Sequence, residues 1–540
     1  YPNSQTCINA RTNTHIWEGD NAAYVNALRM GGYAPHLGLV VTKGAVKSYE
    51  IWERGNDKAN SHTRGIIALN LPDIQLEPGK EYSISWRLFS HKGIDDFQQK
   101  VLEKGSVFVS CNKYVFEKGE TARIELAGAS GVQKCIVKKN SSITPMYKEG
   151  DKWIAEIVMD QLGEVHLDIS YGTNKQTHAT CLVISNVDSL IQKRVDFILN
   201  HQQMKGSDRR KDAFMVYDNE KNEIYLNNTP NCNPVDRDEG AERVGMGVLL
   251  AKYYQLHPSS EIKESLLRYT KFLRNRLQES DYKTFSSVDR KGRNRAYNYA
   301  WVSELYFQMY GITKDKQYAV DGYKTLRSMF RQFGHGFYAI GIPVRLGLQM
   351  LKTAGMQTEY ETLKNDYIRV GDTFVKNGLN YPASEVNYEQ SIVAPSIMFL
   401  LQLYQETGIQ KYLDEAKRQM SVLEAFAGNQ PSYHLNEIAI RHWDGYWFGK
   451  KRLYGDTYPH YWSDLTAHAY RECAELFGSE EYVYKAEAAY RGVLSMFRAD
   501  GSAACAYVYP VTVNGVEGGY YDVYANDQDW GLYFYLRSHS

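Results

Sequence analysis

The chain has 540 residues, of which 63 are Lys or Arg and 63 are Asp or Glu, so its formal net charge is zero. A zero net charge argues against a nucleic-acid partner, because proteins that bind polyanions usually carry a basic excess. The apolar share is an ordinary 43%, and no apolar run reaches the ~18 residues that indicate a transmembrane helix.

The first third of the chain is predicted to form β-structure. Strand-like runs such as residues 82–88 recur up to about residue 185, and turn sequences such as Glu-Lys-Gly-Glu at 117–120 separate them. We divide this part into a β-rich segment, residues 1–104, and a sandwich-sized unit, residues 105–185. The chain starts without Met and without a signal-like apolar stretch, so we expect a mature or trimmed product.

Metal and redox motifs are sparse. The seven cysteines contain no Cys-x-x-Cys pair, which argues against a zinc ribbon, and the sequence leaves open whether Cys135 and Cys181 form a disulfide. Asp218, Glu220 and Asn222 alternate like calcium ligands but lack the Gly and Glu that complete such a loop. The sequence also has no P-loop, GxGxxG or HExxH motif, so we expect no metal and no cofactor.

Beyond about residue 186 the apolar period changes to 3.6 residues, which predicts helices. Within each of five helix pairs the link is short and polar, whereas the links between pairs are long and rich in aromatic and charged residues. Short links join antiparallel neighbours, and a repeated pair indicates a solenoid or a closed ring. The long links therefore predict one chemical face. The predicted helices lie near 191–199, 241–256, 262–277, 297–310, 317–333, 343–354, 357–377, 391–406, 410–427, 461–477, 480–498 and 528–537.

The first candidate cluster precedes a predicted inner helix. Arg237 and Arg243 are suited to bind a substrate carboxylate through two parallel hydrogen bonds, with Glu242 beside them. The alternative is an acidic first turn of the helix with internal ion pairs. Asn298 and Tyr299, on another predicted inner helix, are weaker candidates for substrate binding.

The second cluster lies at the end of a long link. Tyr388 is a candidate general acid or base, Glu389 a candidate carboxylate catalyst, and Asn387 a candidate donor to a substrate carboxyl group. The alternative is a helix cap, with Asn387 as the cap and Gln390 at the third helical position.

The third cluster, within residues 442–462, is dense in aromatic and ionisable side chains. His442 and His460 titrate near neutral pH, and Tyr454 and Tyr461 can donate a proton. The chain has 43 tyrosines, whose rings pack and whose hydroxyl groups hydrogen-bond, a combination that suits sugars. The alternative is an Ω-type loop with its own aromatic core. The candidates for substrate contact here are Trp443, Asp444, Trp447 and Trp462.

The helix-pair rhythm of residues 186–540, with the motifs at 387–392, 442–444 and 456–463, resembles the six-hairpin (α/α)-toroid carbohydrate-active enzymes. Residues 61–91 resemble the end of a galactose-mutarotase-like supersandwich, a domain that usually needs more residues, so an upstream part is expected to be missing. The resemblance implies a multidomain α and β protein: N-terminal β-sandwich segments followed by a catalytic (α/α)-toroid of about six helical hairpins.

The same resemblance implies a function. Toroid enzymes with a supersandwich resemble lyases for uronic acids, and the nearest family is polysaccharide lyase family 27, which removes rhamnose from glucuronate. Such β-elimination needs a base at C5, an acid at O4, and Arg, Asn or His beside the carboxylate. We therefore expect an enzyme with an oligosaccharide or polysaccharide substrate in a secreted, periplasmic or cell-surface location.

Two alternatives remain at this stage. A glycoside hydrolase on the same fold needs paired carboxylates, for which Glu242, Glu389, Asp444 and Asp456 are available. A glycan-binding protein without catalysis needs only the aromatic loops. We expect that the β-rich segment is not the main catalytic domain, although it is able to lend residues to the site.

Overall fold

The N-terminal part of the chain consists of β-sheets, in a computed structural model that describes residues 12–52, 66–129, 131–226, 239–289, 294–382, 389–440, 456–460 and 462–540. An antiparallel sheet with the order β1-β2-β3-β6 comes first and is followed by a short helix, α1. These elements are β1 (Thr12–Trp17), β2 (Tyr24–Arg29), β3 (His36–Lys43), β6 (Ser85–His91) and α1 (Ile94–Glu103).

A second sheet joins the two ends of the chain. Its order is β21-β20-β4-β5, and β20 runs parallel to β4. The strands are β4 (Ser48–Trp52), β5 (Ile66–Asn70), β20 (Thr512–Val513) and β21 (Val516–Glu517). Because residues near the C-terminus complete a sheet of the β-rich segment, this segment and the helical part are packed together. The proposed boundaries at residues 104 and 185 remain predictions.

Two sheets follow, with the orders β12-β13-β9-β7 and β11-β10-β14-β15-β8. Every second side chain of β14 is buried, as the period of a strand with one covered face requires. The strands are β7 (Phe108–Cys111), β8 (Val115–Glu117), β9 (Thr121–Ala127), β10 (Cys135–Lys139), β11 (Ser142–Pro145), β12 (Tyr147–Glu149), β13 (Lys152–Val158), β14 (Gly163–Tyr171) and β15 (Lys175–Ile184).

Cys135 and Cys181, whose pairing the sequence left open, do not form a disulfide, because both residues are free thiols. Cys135 lies on β10 and Cys181 on β15, and β14 separates the two strands. Neighbouring strands are about 4.8 Å apart, so two spacings exceed the ~4.4–6.8 Å between Cα atoms that a disulfide spans.

Twelve further helices are described after residue 186, close to the predicted positions. They are α2 (Val187–Phe197), α3 (Val244–Leu256), α4 (Ser260–Phe272), α5 (Ala296–Thr313), α6 (Lys316–Phe333), α7 (Val344–Thr353), α8 (Gln357–Asn377), α9 (Gln390–Thr407), α10 (Gln410–Glu424), α11 (Trp462–Phe477), α12 (Glu480–Val493) and α13 (Asp529–His539). None of the helices in the described part of the chain is long and apolar enough to span a membrane.

Six of these helices form a closed inner ring. In order around the ring, α3, α5, α7, α9, α11 and α13 each contact the next, and α13 contacts α3. Five outer helices, α4, α6, α8, α10 and α12, each pack on the inner helix that precedes them in the chain. The prediction of an (α/α)-toroid is therefore confirmed, and a closed ring replaces the solenoid alternative.

Burial distinguishes the two layers. On the inner helix α5 every side chain from Ala296 to Tyr310 is buried, whereas the outer helices α6 and α8 bury one face and expose the other. Short turns connect the layers. Gly408, for example, ends α9 in the left-handed region at a φ of 69°, which glycine adopts without steric cost.

An ion pair attaches α2 to the ring as the sixth outer helix. The buried Arg194 of α2 donates to both carboxylate oxygens of Asp529, the first residue of α13, at 2.7 and 2.8 Å. Arg194 also donates to Gln202 and to the carbonyl of Gly501. Because α2 and α13 come from opposite ends of the helical part, this contact completes the sixth pair.

Two small sheets lie between helices of the ring, with the orders β17-β16-β23 and β18-β19-β22. Their strands are β16 (Tyr217–Asp218), β17 (Glu223–Ile224), β18 (Thr457–His460), β19 (Ala506–Val508), β22 (Tyr520–Tyr521) and β23 (Tyr524–Ala525). Asp218 accepts hydrogen bonds from the backbone of Glu220 and Lys221 and so forms a turn. Among the described residues, no three acidic, His or Cys side chains are grouped to hold a metal.

Candidate active site

The six inner helices run in the same direction. Residues at matching depths in neighbouring helices contact each other: Thr466 of α11 donates to Gln390 of α9 near their starts, and Gln402 donates to Glu472 near their ends. The starts of the inner helices therefore lie at one end of the ring, which we call the long-link end. The short turns lie at the opposite, short-link end.

An ion-pair cluster connects the starts of α3 and α5. The Glu242 carboxylate accepts hydrogen bonds from Arg243 at 2.9 Å and from Arg295 at 2.6 Å. Arg243 is fully buried, whereas Arg295, the residue before α5, is partly accessible. The internal ion pairs of the alternative interpretation are therefore present, and the role of Arg243 in substrate binding stays a prediction.

Arg295 is a candidate that the sequence interpretation missed. Its guanidinium group lies 5.2 Å from the ring centre of Tyr297 and contacts the same carboxylate as Arg243. Its position in a long link, directly before a predicted inner helix, could have indicated this role from the sequence. A partly accessible arginine at this end of the ring can bind a carboxylate from solvent.

Asn298 holds the link between α4 and α5. Its side-chain amide donates to the Ser286 hydroxyl group at 3.0 Å and to the Thr284 carbonyl at 3.4 Å. The same link is tied to the start of α3, because Val288 donates to the carboxylate of Glu239 at 2.9 Å. Asn298 is thus buried at the long-link end, next to the ion-pair cluster.

Tyr299 points in another direction. Its hydroxyl group donates to Asn294 and accepts from Gln332 of the outer helix α6, and its ring packs against Phe333. Burial raises the pKa of Tyr299 to about 12. The side chain therefore faces the outer layer, and its predicted role in substrate binding stays a prediction.

The start of α9 differs from the predicted cap. Gln390 is the first helical residue rather than the third, and Glu389 precedes the helix with an extended backbone. Glu389 is buried at the long-link end, beside Gln390, whose side chain is bonded to Thr466 of α11. Asn387, the predicted cap, lies outside the described residues.

His460 ends strand β18 at the same end of the ring. It is fully buried, and its Nδ1 accepts a hydrogen bond from the backbone N–H of Trp462 at 3.3 Å. The ring of Trp462 packs edge-on against the imidazole at 5.3 Å. Since Nδ1 accepts, a neutral His460 in this arrangement carries its proton on Nε2.

A tyrosine cluster adjoins β18 and is formed by Tyr49, Tyr458 and Tyr509 with the carboxylates of Glu18 and Asp456. Tyr49 donates to Asp456 at 3.2 Å and lies 3.2 Å from the hydroxyl group of Tyr458. Tyr509 donates to Glu18 at 2.7 Å. Burial raises the pKa of Tyr49 and of Tyr509 far above the usual value, so both phenols stay protonated at physiological pH.

A second aromatic group packs beside this tyrosine cluster, through Tyr509. The imidazole of His434 stacks on Tyr507 at 4.1 Å and hydrogen-bonds the hydroxyl group of Tyr521 at 2.8 Å. Burial lowers the pKa of His434 to about 3, so this imidazole is neutral at physiological pH. Tyr433, the preceding residue, donates to Glu164 of β14 at 2.6 Å and so links the ring to the sandwich-sized unit.

Most other predicted site residues lie outside the described part of the chain, and their roles remain predictions. They are Arg237, Asn387, Tyr388, His442, Trp443, Asp444, Trp447, Tyr454 and Tyr461.

Comparison with solved structures identifies the family. A polysaccharide lyase of known structure is 64% identical to this chain, with a TM-score of 0.97, and the match covers 100% of this chain and 81% of that one. The chain belongs to the polysaccharide lyases. As a lyase it is a carbohydrate-active enzyme, as the sequence resemblance implied.

The other comparisons are more distant. A family 76 glycoside hydrolase from a bovine Bacteroides thetaiotaomicron strain is 11% identical over 80% of this lyase and 98% of that chain, with a TM-score of 0.43. The cellobiose 2-epimerase of Bacillus thermoamylovorans is 10% identical over 65% and 100%, with a TM-score of 0.43. A model for a family of unknown function, DUF5695, matches residues 49–242, and the comparison with curated proteins finds no match.

Proposed function

We propose that this lyase cleaves a glycan at a uronic acid residue by β-elimination. The observation that carries the proposal is the 64% identity to a polysaccharide lyase over the whole chain. The long-link end supplies the types of side chain that this reaction needs: guanidinium groups, an imidazole and protonated phenols. We place the reaction there.

The reaction begins with loss of the proton on C5, and that proton is weakly acidic while the neighbouring carboxylate keeps its full charge. Arg243 and Arg295, with Arg237 as a further candidate, are proposed to bind the carboxylate. Glu242 holds the first two arginines at the starts of α3 and α5. Fixed donors of this kind stabilise the negative charge that develops as the proton leaves.

Proton transfer is assigned to the region of residues 442–461. A base removes the C5 proton, the C4–C5 double bond forms, and the O4 substituent departs with a proton from an acid. His442, His460, Tyr454 and Tyr461 are the candidates, with Tyr388 from the second cluster. Of these, His460 is described, and its position at the end of β18 places it at the long-link end.

The resemblance to polysaccharide lyase family 27 supports a more specific substrate. We propose a glycan end in which rhamnose is linked α-1,4 to glucuronate, so that the products are rhamnose and an unsaturated uronate. An enzyme reaches a polysaccharide of this kind outside the cytoplasm, so we propose a secreted, periplasmic or cell-surface location.

The test is incubation of the protein with glucuronate-containing glycans, some with and some without a rhamnose end. Ultraviolet absorbance of the new C4–C5 double bond, together with released rhamnose, is the expected result. Release of reducing sugar without this absorbance would instead indicate a glycoside hydrolase, and binding without turnover would indicate a glycan-binding protein.

A further inference from the structure

We infer that Tyr49, in the β-rich segment, is a positioning residue for the elimination, acting through Asp456 on the strand that carries His460. The inference rests on the proposed function and extends it. It adds to the site a residue that lies 407 positions before Asp456 in the chain.

The contacts of Tyr49 converge on the first residues of β18. Its buried hydroxyl group donates to Asp456 Oδ2 at 3.2 Å and lies 3.2 Å from the hydroxyl group of Tyr458. These two side chains flank Thr457, the first residue of the strand that ends at His460. One hydroxyl group thus contacts the residues on both sides of the strand's start.

Backbone contacts hold the same region independently of this hydroxyl group. The carbonyl of Tyr49 accepts from Val511 at 3.1 Å, and the carbonyl of Asp456 accepts from Tyr509 at 3.0 Å. Because β4 is also paired with β20, removal of the hydroxyl group alone leaves the ring of Tyr49 and its strand in place. The Tyr49→Phe variant is therefore expected to fold.

The physical consequence is a change in geometry rather than in protonation. Burial keeps the pKa of the Tyr49 phenol far above the physiological range, so this group does not titrate during turnover. Without this donor, the Asp456 side chain loses one hydrogen bond, and β18 loses a side-chain restraint close to its start. Small displacements of a catalytic group reduce turnover by up to ~10²-fold.

The experiment measures release of unsaturated product from a glycan that ends in rhamnose-α-1,4-glucuronate. Tyr49→Phe should lower kcat by about tenfold to a hundredfold, with a smaller change in KM. Combined with Asp456→Asn, it should lower kcat no further than Asp456→Asn alone, because the two residues act in one chain of contacts.

The matched control is Tyr24→Phe. Tyr24 is a buried tyrosine of the same β-rich segment, and its hydroxyl group has no hydrogen-bond partner among the described residues. This variant should keep the wild-type kcat.

Two results would overturn the inference while leaving the proposed function intact. One is a wild-type kcat for Tyr49→Phe, and the other is independent, multiplying losses in the double variant. If Tyr49→Phe unfolds below the assay temperature, Tyr458→Phe, which removes the neighbouring hydroxyl group, is judged by the same two criteria. Absence of unsaturated product with the wild-type protein would reject the proposed function itself.

Discussion

Two buried glutamates show how the two ends of the helical ring differ. Glu472, near the end of α11 at the short-link end, accepts from Gln402 at 2.8 Å and lies 3.3 Å from His468 and 3.9 Å from Arg537. Burial alone would raise the pKa of Glu472, but these partners lower it below the usual value. The charge of Glu472 is therefore compensated within the ring.

Glu437 lies in the long connection between α10 and α11. Burial raises its pKa to about 7, and the attraction of Lys485 only partly offsets this effect. Its backbone also has a positive φ of 56°, which costs energy for a residue other than glycine. The buried charge of Glu472 is thus balanced by its partners, whereas Glu437 is kept in a long connection at an energetic cost, a feature typical of functional sites.

The largest expected effect tests the chemical role of the long-link end. His460→Gln should lower kcat by ~10²–10⁴-fold, because it removes a group proposed to transfer a proton. Rates from single-turnover measurements on the proposed substrate, with a thermal melt to confirm folding, check this. If His460→Gln keeps near-normal kcat while Glu389→Gln abolishes it, a carboxylate mechanism of the hydrolase type replaces elimination.

The next effect concerns stability at the long-link end. Arg194→Met leaves Asp529 buried without its bidentate partner, so we expect a loss of about 3–5 kcal/mol in the free energy of unfolding. Denaturant titration measures it. Arg123→Met, which breaks a partly exposed ion pair with Glu149, should cost no more than about 1 kcal/mol. Equal losses in the two variants would show that the buried ion pair between α2 and α13 stabilises the fold no more than a partly exposed one.

A pH dependence follows from Glu437. Its folded pKa lies above the unfolded value of 4.5, so its burial costs nothing below pH 4.5, and the cost grows until about pH 7 and persists above it. Glu437→Gln should therefore gain ~2–3 kcal/mol relative to wild type between pH 4.5 and pH 8. Unfolding titrations at both pH values test this, with Glu361→Gln, at an exposed site on α8, as the control. A pH-independent difference would contradict the assigned cost.

The smallest effect tests the short-link end. Tyr533 of α13 donates to Glu304 of α5 and is bonded to Gln308, so Tyr533→Phe removes a contact between the two inner helices on either side of α3. We expect a loss of about 1 kcal/mol in stability with an unchanged kcat. A large fall in kcat without loss of stability would show that chemistry is not confined to the long-link end.

Much of the toroid could be predicted from local patterns. The outer helix α8 spans residues 357–377, as its 3.6-residue period predicts, and Gly408 ends α9 where the sequence places a short link. The inner helix α5 has no exposed polar face, yet its length and the turn sequences on both sides were sufficient to predict a helix there. These features depend on contacts between residues that are close together in the chain, so local sequence patterns predict them directly.

Side-chain direction was harder to predict. Tyr299 was grouped with Asn298 as a substrate residue, but adjacent positions on a helix point in different directions, and Tyr299 faces α6. The sequence could not decide whether Cys135 and Cys181 are bonded, because strand order, which inserts β14 between them, is a tertiary property.

The sequence by itself determined the helix period, the alternation of short and long links, and hence that chemistry belongs at one end of a repeated helical array. Only the tertiary structure decided that the array closes and which distant residues meet. Arg194 contacts Asp529 across 335 positions, and Tyr49 contacts Asp456 across 407. No local pattern encodes such pairs, because they form only when packing brings two separately stable elements together and excludes water between them.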